Sequence, residues 1–333
     1  MGAVSILPGA DSPSRRSGFN RRQASAATRA LDTPGLVPRL ALGFRRLRTD
    51  YHGPLIRVRC GAAEADIGTA DDGDREGEDL DVDALRSFAQ AQGVPWAGVR
   101  LARWYDQSGL GNDAAQVIPA LMPLVGVYLH PLFGLRAGLL NSWGANPYGT
   151  GAAQWLQAVR PFPASTLGGF VLAGQNDART PTNYQHRAFV MGSPSSSTQW
   201  RFGCPASGLP APNDWAVTVG PRFPVSSAPS VVGPTGRPFV VSYRTQGPAY
   251  QEITWGDGEA VDTRTTTIPP WTADTYWIGR RGSNDDAGNW IGWIFDVVAT
   301  DEPTPDPLRS LARDLIGAHT NPANLPIAPL PFV

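Results

Sequence analysis

The side chains able to do chemistry in this 333-residue chain are few and scattered. Its four histidines, His52, His130, His186 and His319, lack the close spacing that places two imidazoles on one metal ion. No Gly-x-Ser-x-Gly elbow and no phosphate-binding loop occurs, so each histidine reads as a surface or turn residue. Cys60 and Cys204 do not make a disulfide framework. They read as buried free thiols, consistent with assembly in a reducing cytoplasm. The strongest charge run is Asp71-Asp72-Gly73-Asp74-Arg75-Glu76-Gly77-Glu78-Asp79. With Asp72 as its first position, Asp74, Glu76, Gly77 and Asp83 imitate part of a calcium loop. However, Asp79 stands where an apolar residue belongs, Asp83 replaces a bidentate glutamate, and Asp81 is expected to cap a helix. A solvated acidic loop at a helix N-terminus is the favoured reading, with no cofactor expected and calcium as the alternative.

Eleven tryptophans against three methionines is an unusual balance. Trp104, Trp277 and Trp293 lie in strand-like runs and are expected in a core. Trp143, Trp255, Trp271 and Trp290 lie beside Gly, Asn, Asp or Pro. They would suit exposed platforms for sugar rings, with Asp257, Arg280, Asp285 and Asp286 as a polar rim. Burial in a core or an interface is the competing use of the same residues.

These groups must be positioned by strands. The 37 glycines and 32 prolines break long helices, while 8 Tyr, 12 Phe and the tryptophans can fill a core. Strand-like runs are Val37–Leu47, Pro54–Val58, Gly169–Ala173, Arg187–Met191, Thr198–Phe202, Trp215–Val219, Pro238–Tyr243, Tyr250–Trp255, Thr275–Arg280 and Trp290–Ala299. Each is bounded by turn residues, which indicates an antiparallel sandwich. Two helices are predicted. Asp81 caps one running through Leu85 and Phe88; Asp306-Pro307 opens another, buries Leu308, Leu311, Ala312, Leu315 and Ile316, and ends at Gly317. Residues 1–36 read as an extended arm with Arg15, Arg16, Arg21, Arg22 and Arg29, residues 37–318 as the body, and residues 319–333 as a proline-rich tail. Such ends need a partner to be ordered, so an oligomer or larger assembly is expected. The net charge of −1 gives no bulk-charge reason to expect nucleic-acid or membrane-surface binding. The most apolar stretch, Ile118 to Leu140, is interrupted by Pro119, Pro123, His130, Pro131 and Arg136, so no membrane insertion is expected. The twin-arginine pattern at Ser14–Phe19 lacks an apolar region after it, and no signal peptide is expected.

The most informative stretch runs from Arg45 to Gln116. It contains Tyr51-His52-Gly53-Pro54-Leu55-Ile56-Arg57-Val58-Arg59, then Asp66-Ile67-Gly68, then Trp104-Tyr105-Asp106-Gln107-Ser108-Gly109-Leu110-Gly111-Asn112-Asp113. This order resembles the catalytic domain of the α-L-arabinofuranosidase B family, glycoside hydrolase family 54. The resemblance implies a concanavalin A-like (jelly-roll) antiparallel β-sandwich with a few short helices. Asp106, Gln107, Ser108 and Gly109 carry turn chemistry in every residue type. That favours a fixed turn anchoring one sheet to the other over direct contact with substrate.

A retaining glycosidase needs two carboxyl groups about 5–5.5 Å apart. The resemblance implies a glutamate nucleophile in a Gly-Asn-Ala-Glu-like segment, but the six glutamates here leave none between Asp79 and Gln251. The nearest counterpart, Gly174-Gln175-Asn176-Asp177, offers only Asp177. The general acid implied before the last strands finds Asp285 or Asp286 without clear register, and the family's adjacent cysteine pair is missing. Because domains of this look also occur in phage and gene-transfer-agent particles, the resemblance implies a non-enzymatic spike or fibre protein. It would be assembled in the host cytoplasm, dock to other particle subunits through its arm and bind host surface polysaccharide. A hydrolase using Asp177 with Asp285 or Asp286 is the alternative.

Overall fold

The structure, a computed structural model, describes residues 29–70, 79–95, 98–130, 134–141, 154–165, 168–176, 186–192, 199–204, 214–219, 230–232, 238–246, 250–255, 260–265, 271–279, 290, 292–301 and 305–319. The strands are β1 (Val37–Gly43), β2 (Ile56–Cys60), β3 (Ala63–Ile67), β4 (Arg100–Trp104), β5 (Ala114–Ala115), β6 (Leu124–His130), β7 (Gly134–Asn141), β8 (Leu156–Ser165) and β9 (Gly168–Asn176). They continue as β10 (His186–Gly192), β11 (Gln199–Cys204), β12 (Asp214–Val219), β13 (Ser230–Val232), β14 (Pro238–Thr245), β15 (Gln251–Trp255), β16 (Ala260–Arg264), β17 (Trp271–Ile278) and β18 (Gly292–Asp301). Among the described residues there are two α-helices, α1 (Val82–Ala91) and α2 (Pro305–His319), and short 3-10 turns at Ala30–Asp32 and Pro119–Leu121.

Antiparallel pairing arranges these strands in two layers. One runs β16-β15-β14-β9-β18, and the far edge of β18 is shared by β7 at Gly292–Ile294 and β1 beyond it. The other runs β3-β2-β4-β5-β8-β17-β10-β11-β12-β13. The β6–β7 hairpin joins the layers, because Leu124 pairs with Arg100 of β4 while β7 pairs with β18. This is the antiparallel sandwich that the strand spacing predicts.

Period-two alternation decides which residue faces which layer. Along β9, Phe170 and Leu172 enter the inter-sheet core, whereas Val171 and Ala173 face the opposite side. Phe170 meets Phe189 of β10 across the sandwich, with ring centroids 5.7 Å apart. The outer face of β9, β14 and β18 is covered by Leu311, Ala312 and Leu315 of α2. Helix α1 begins where Asp81 accepts a hydrogen bond from Ala84 N at 2.8 Å, and it buries Val82, Leu85 and Ala89.

Several element boundaries differ from the sequence expectation. Helix α2 starts at Pro305, since the first-turn N–H groups have no intrahelical partner and prolines there remove nothing. It also continues two residues past Gly317. Strand β1 stops at Gly43, the last partner of β18; beyond it Phe44 O accepts from Leu80 N, and Arg45 O and Leu47 N bond to the Gln107 side chain. The segment at Ala30–Leu36, expected within an extended arm, is part of the body. Ala30, Leu31 and Leu36 are buried in the cluster that includes α2, and Leu31 N donates to Leu47 O at 2.9 Å. Three apolar residues within seven suffice to dock it. Arg15, Arg16, Arg21 and Arg22, and the tail beyond His319, lie outside the described residues.

Candidate functional site

The Asp106–Gly109 turn connects β4 to β5 and holds the two layers together. The Asp106 carboxylate accepts hydrogen bonds from Ala41 N at 2.8 Å, Ser108 N at 2.9 Å, Ser108 Oγ at 2.5 Å and Asn112 N at 2.8 Å. Gln107 N donates to Ala41 O at 2.7 Å. The Gln107 side chain accepts from Leu47 N at 2.7 Å and donates to Arg45 O at 2.8 Å. Asn112 Nδ2 donates to Arg39 O at 2.6 Å. Gly109 and Gly111 adopt φ of 88° and 68°, the left-handed region in which a side chain is strained. Asp106, Gln107, Ser108 and Asn112 are all buried, and the Asp106 and Gln107 side chains bond to the protein's own backbone and to Ser108 Oγ.

Beside this turn, the exposed face of β2, β3 and β4 carries a second network, which the sequence reading did not assemble. Arg57 forms a two-pronged pair with Asp66, both contacts 2.7 Å long, and Tyr105 Oη donates to Asp66 at 2.7 Å. Arg103 pairs with Asp113 at 3.3 Å and lies over the Tyr105 ring. The signal was the alternation of Arg57 and Arg59 against Glu64 and Asp66 on facing strands. Its electrostatics limit its chemistry. The Arg57 guanidinium, which outweighs partial burial, holds the Asp66 carboxyl below the usual range. Burial, together with the hydrogen bond to Asp66, pushes Tyr105 up to about 12. Burial and the charges of Asp113 and Asp106 raise Tyr51 as well. Near neutral pH the face offers fixed hydrogen bonds rather than a transferable proton.

At one end of the sandwich, strand register brings β9 and β18 together at the positions the resemblance marks. Asn176 pairs with Gly292, and Gln175 with Trp293. The connection from β17 to β18 is pinned at its feet by Trp290 N donating to Gly279 O at 3.0 Å. Asp177, Asp257, Arg280, Asp285 and Asp286, and the side chain of Trp271, lie outside the described residues. Trp255 and Trp290, expected as exposed sugar platforms, are instead 6% and 1% exposed. Both pack on Phe239, Trp255 stacked at 5.2 Å and Trp290 edge-on at 6.1 Å, and Trp290 Nε1 donates to Trp293 O. Their flanking Gly and Asn residues mark strand ends, not exposure. Trp104, Trp277 and Trp293 are buried.

Two glutamates are described, and both are engaged. Glu64 pairs with Arg59 on the exposed face. Glu252 accepts from Arg244 at 2.8 and 2.9 Å and from Tyr250 Oη at 2.9 Å, and Arg244 holds its carboxyl below the usual range. An ionised, neutralised carboxylate of this kind cannot act as a general acid. Of the calcium-like positions, Asp79 pairs with Arg136 at 3.0 Å and Asp83 with Arg86 at 2.9 Å. No group of three metal-ligating side chains forms among the described residues.

No family model matches this sequence, and no curated protein matches it. Solved structures do. A glycoside hydrolase family 54 α-L-arabinofuranosidase soaked with a cyclic sulfate inhibitor superposes with a TM-score of 0.62 at 15% identity, covering 84% of this chain and 62% of that one. An arabinofuranosidase complexed with arabinofuranosyl-α-1,2-xylobiose gives 0.62 at 17% identity, covering 87% and 64%. The likeness establishes the fold. The chain spans under two-thirds of the length of either enzyme, and identity this low carries no residue roles with it.

Proposed function

We propose that this protein is a non-catalytic carbohydrate-binding sandwich. The observation that carries the reading is a family 54-like fold over most of the chain that lacks a glutamate from Asp79 to Gln251, with Glu252 neutralised by Arg244. The arabinofuranosidase fold supplies a surface suited to sugars, while the carboxylate that the resemblance requires as nucleophile has no glutamate counterpart. In its finer form, the protein is a spike or fibre subunit of a phage-like particle. It docks through the arginines of its N-terminal segment, assembles without a cofactor and attaches the particle to host polysaccharide. Arg15, Arg16, Arg21 and Arg22 support docking onto an acidic partner surface.

A hydrolase is the second reading, favoured by one observation. Asn176 and Gly292 are register partners, so the chain reaches Asp177 from one and leaves the Asp285–Asp286 segment towards the other.

Incubating the full chain with immobilised polysaccharides, together with a reducing-end assay, tests both. The expected result is retention without shortening of the polysaccharide. Release of sugar that disappears in Asp177→Asn would establish the hydrolase and overturn the binding-only reading.

A further inference from the structure

A groove of about 560 Å³ opens at the other end of the sandwich. Its floor is Leu31, Leu36 and Pro38, and its rim carries Asp32, Thr49, Asp50, His52 and Arg48. Pro38 pairs with Thr300, whereas Asn176 pairs with Gly292. Eight steps along β18 at about 3.3 Å each separate the two ends by roughly 26 Å. The groove is therefore distinct from the β9–β18 end.

Its rim is pre-organised. Asp32 accepts from Thr49 Oγ1 at 2.5 Å and from Arg29 N at 3.1 Å. Arg48 grips both Asp50 oxygens, at 2.9 and 2.7 Å, and Ser108 O at 2.8 Å. Burial opposes ionisation of Asp32, but the hydrogen bonds from Thr49 and Arg29 outweigh it and hold the carboxyl below its usual range. Asp32 also accepts from Thr49 N at 3.3 Å, and because a carboxylate has about four acceptor sites, Asp32 and Asp50 both retain unused lone pairs, while His52 is exposed and adds ring nitrogens able to hydrogen-bond.

We propose that this groove is a second carbohydrate site that takes the end of a short neutral oligosaccharide. The proposal rests on the reading that the protein binds carbohydrate. Pockets of this size suit small ligands, and an apolar floor with a polar rim matches a sugar's C–H face and hydroxyl edge. Neutral sugars are selected by charge. Two carboxylates line the rim against one arginine, and that arginine is already engaged by Asp50 and a carbonyl. An acidic sugar would meet both carboxylates at the rim itself, where the lining cation, Arg48, is held by Asp50 and Ser108 O, while the Arg29 charge acts on Asp32 from outside the lining.

The test follows the imidazole signals of the full chain by NMR. With four histidines in the sequence, His52 is assigned by the loss of one signal in His52→Ala. Arabinose, galactose and xylobiose are titrated to millimolar concentration. The expected result is a saturable His52 shift with at least one of them, weakened about tenfold in Asp32→Asn. A silent His52 in a chain that polysaccharide beads still retain overturns the groove while leaving the carbohydrate reading intact. No retention and no shift overturns both. A His52 shift produced without sugar, by replacing Arg15, Arg16, Arg21 and Arg22 with serine, makes the N-terminal segment the occupant and also overturns the proposal.

Discussion

Asp106→Ala separates a structural turn from a substrate contact. The carboxylate satisfies three backbone N–H groups and one hydroxyl at 2.5 to 2.9 Å. Ala41 and Asn112 are buried, so water cannot readily replace the lost acceptor at either N–H. Each stranded buried donor costs about 1–3 kcal/mol, and the loss at Ser108 is smaller because its hydroxyl can rotate to another partner. The sum is about 3–5 kcal/mol, a large share of the roughly 5–15 kcal/mol by which domains are stable. Asp106→Asn keeps one acceptor oxygen but turns an NH₂ group towards other donors, so about 2 kcal/mol is expected from that smaller mismatch. Urea unfolding followed by tryptophan fluorescence measures both, with the slope checked for a constant m-value. An Asp106→Ala variant that loses under about 1 kcal/mol at unchanged slope would refute the reasoning, since it would mean the four bonds are replaceable. Glycan retention gives the second arm. The turn reading expects folded Asp106→Asn to bind as the parent does, and a selective loss of retention at unchanged stability would restore the substrate-contact alternative.

Three further outcomes test the packing and the charges. Gly126 and Gly138 face each other across the β6–β7 hairpin, and a Cβ at Gly126 would overlap the Trp293 ring, so Gly126→Ala should destabilise by about 1–3 kcal/mol in the same unfolding assay. Arg244→Met strands the nearly buried Glu252 and should lower stability by about 3–5 kcal/mol, while the Arg244→Met/Glu252→Met double variant should recover most of it; equal losses would count against the pair. Asp32, Asp66 and Glu252 all have folded pKa values below their ordinary ones, so their ionised forms favour the fold. The stability they contribute is complete above about pH 4.5 and lost as pH falls through the folded values, and Glu252→Gln should flatten that acid limb in pH-dependent unfolding.

What was legible in the sequence followed from local chemistry. Turn residues bounded ten strand runs, and Asp81 marked the start of α1, because cap and turn preferences act within a few residues. The Asp106–Asn112 loop was legible for the same reason, although nothing local indicated that its partners would be Ala41 and Leu47. The β6–β7 hairpin was not. Its stretch was read only as too interrupted for a membrane span and not as strands, yet Pro119 and Pro123 precede β6, and Gly126 and Gly138 make room for the Trp293 and Phe295 rings. That use of glycine is decided by a strand more than 150 residues away. Trp104, Trp277 and Trp293 were legible as core, but the exposed-platform expectation failed for Trp255 and Trp290. Neighbouring Gly and Asn locate Trp255 and Trp290 near strand ends, but their burial comes with tertiary packing in which both rings meet Phe239 of β14. For these two tryptophans the aromatic count located a core rather than a sugar surface. The polar groups that remain exposed, around Tyr105 and around His52, belong to strands and loops whose proximity only the closed sandwich creates.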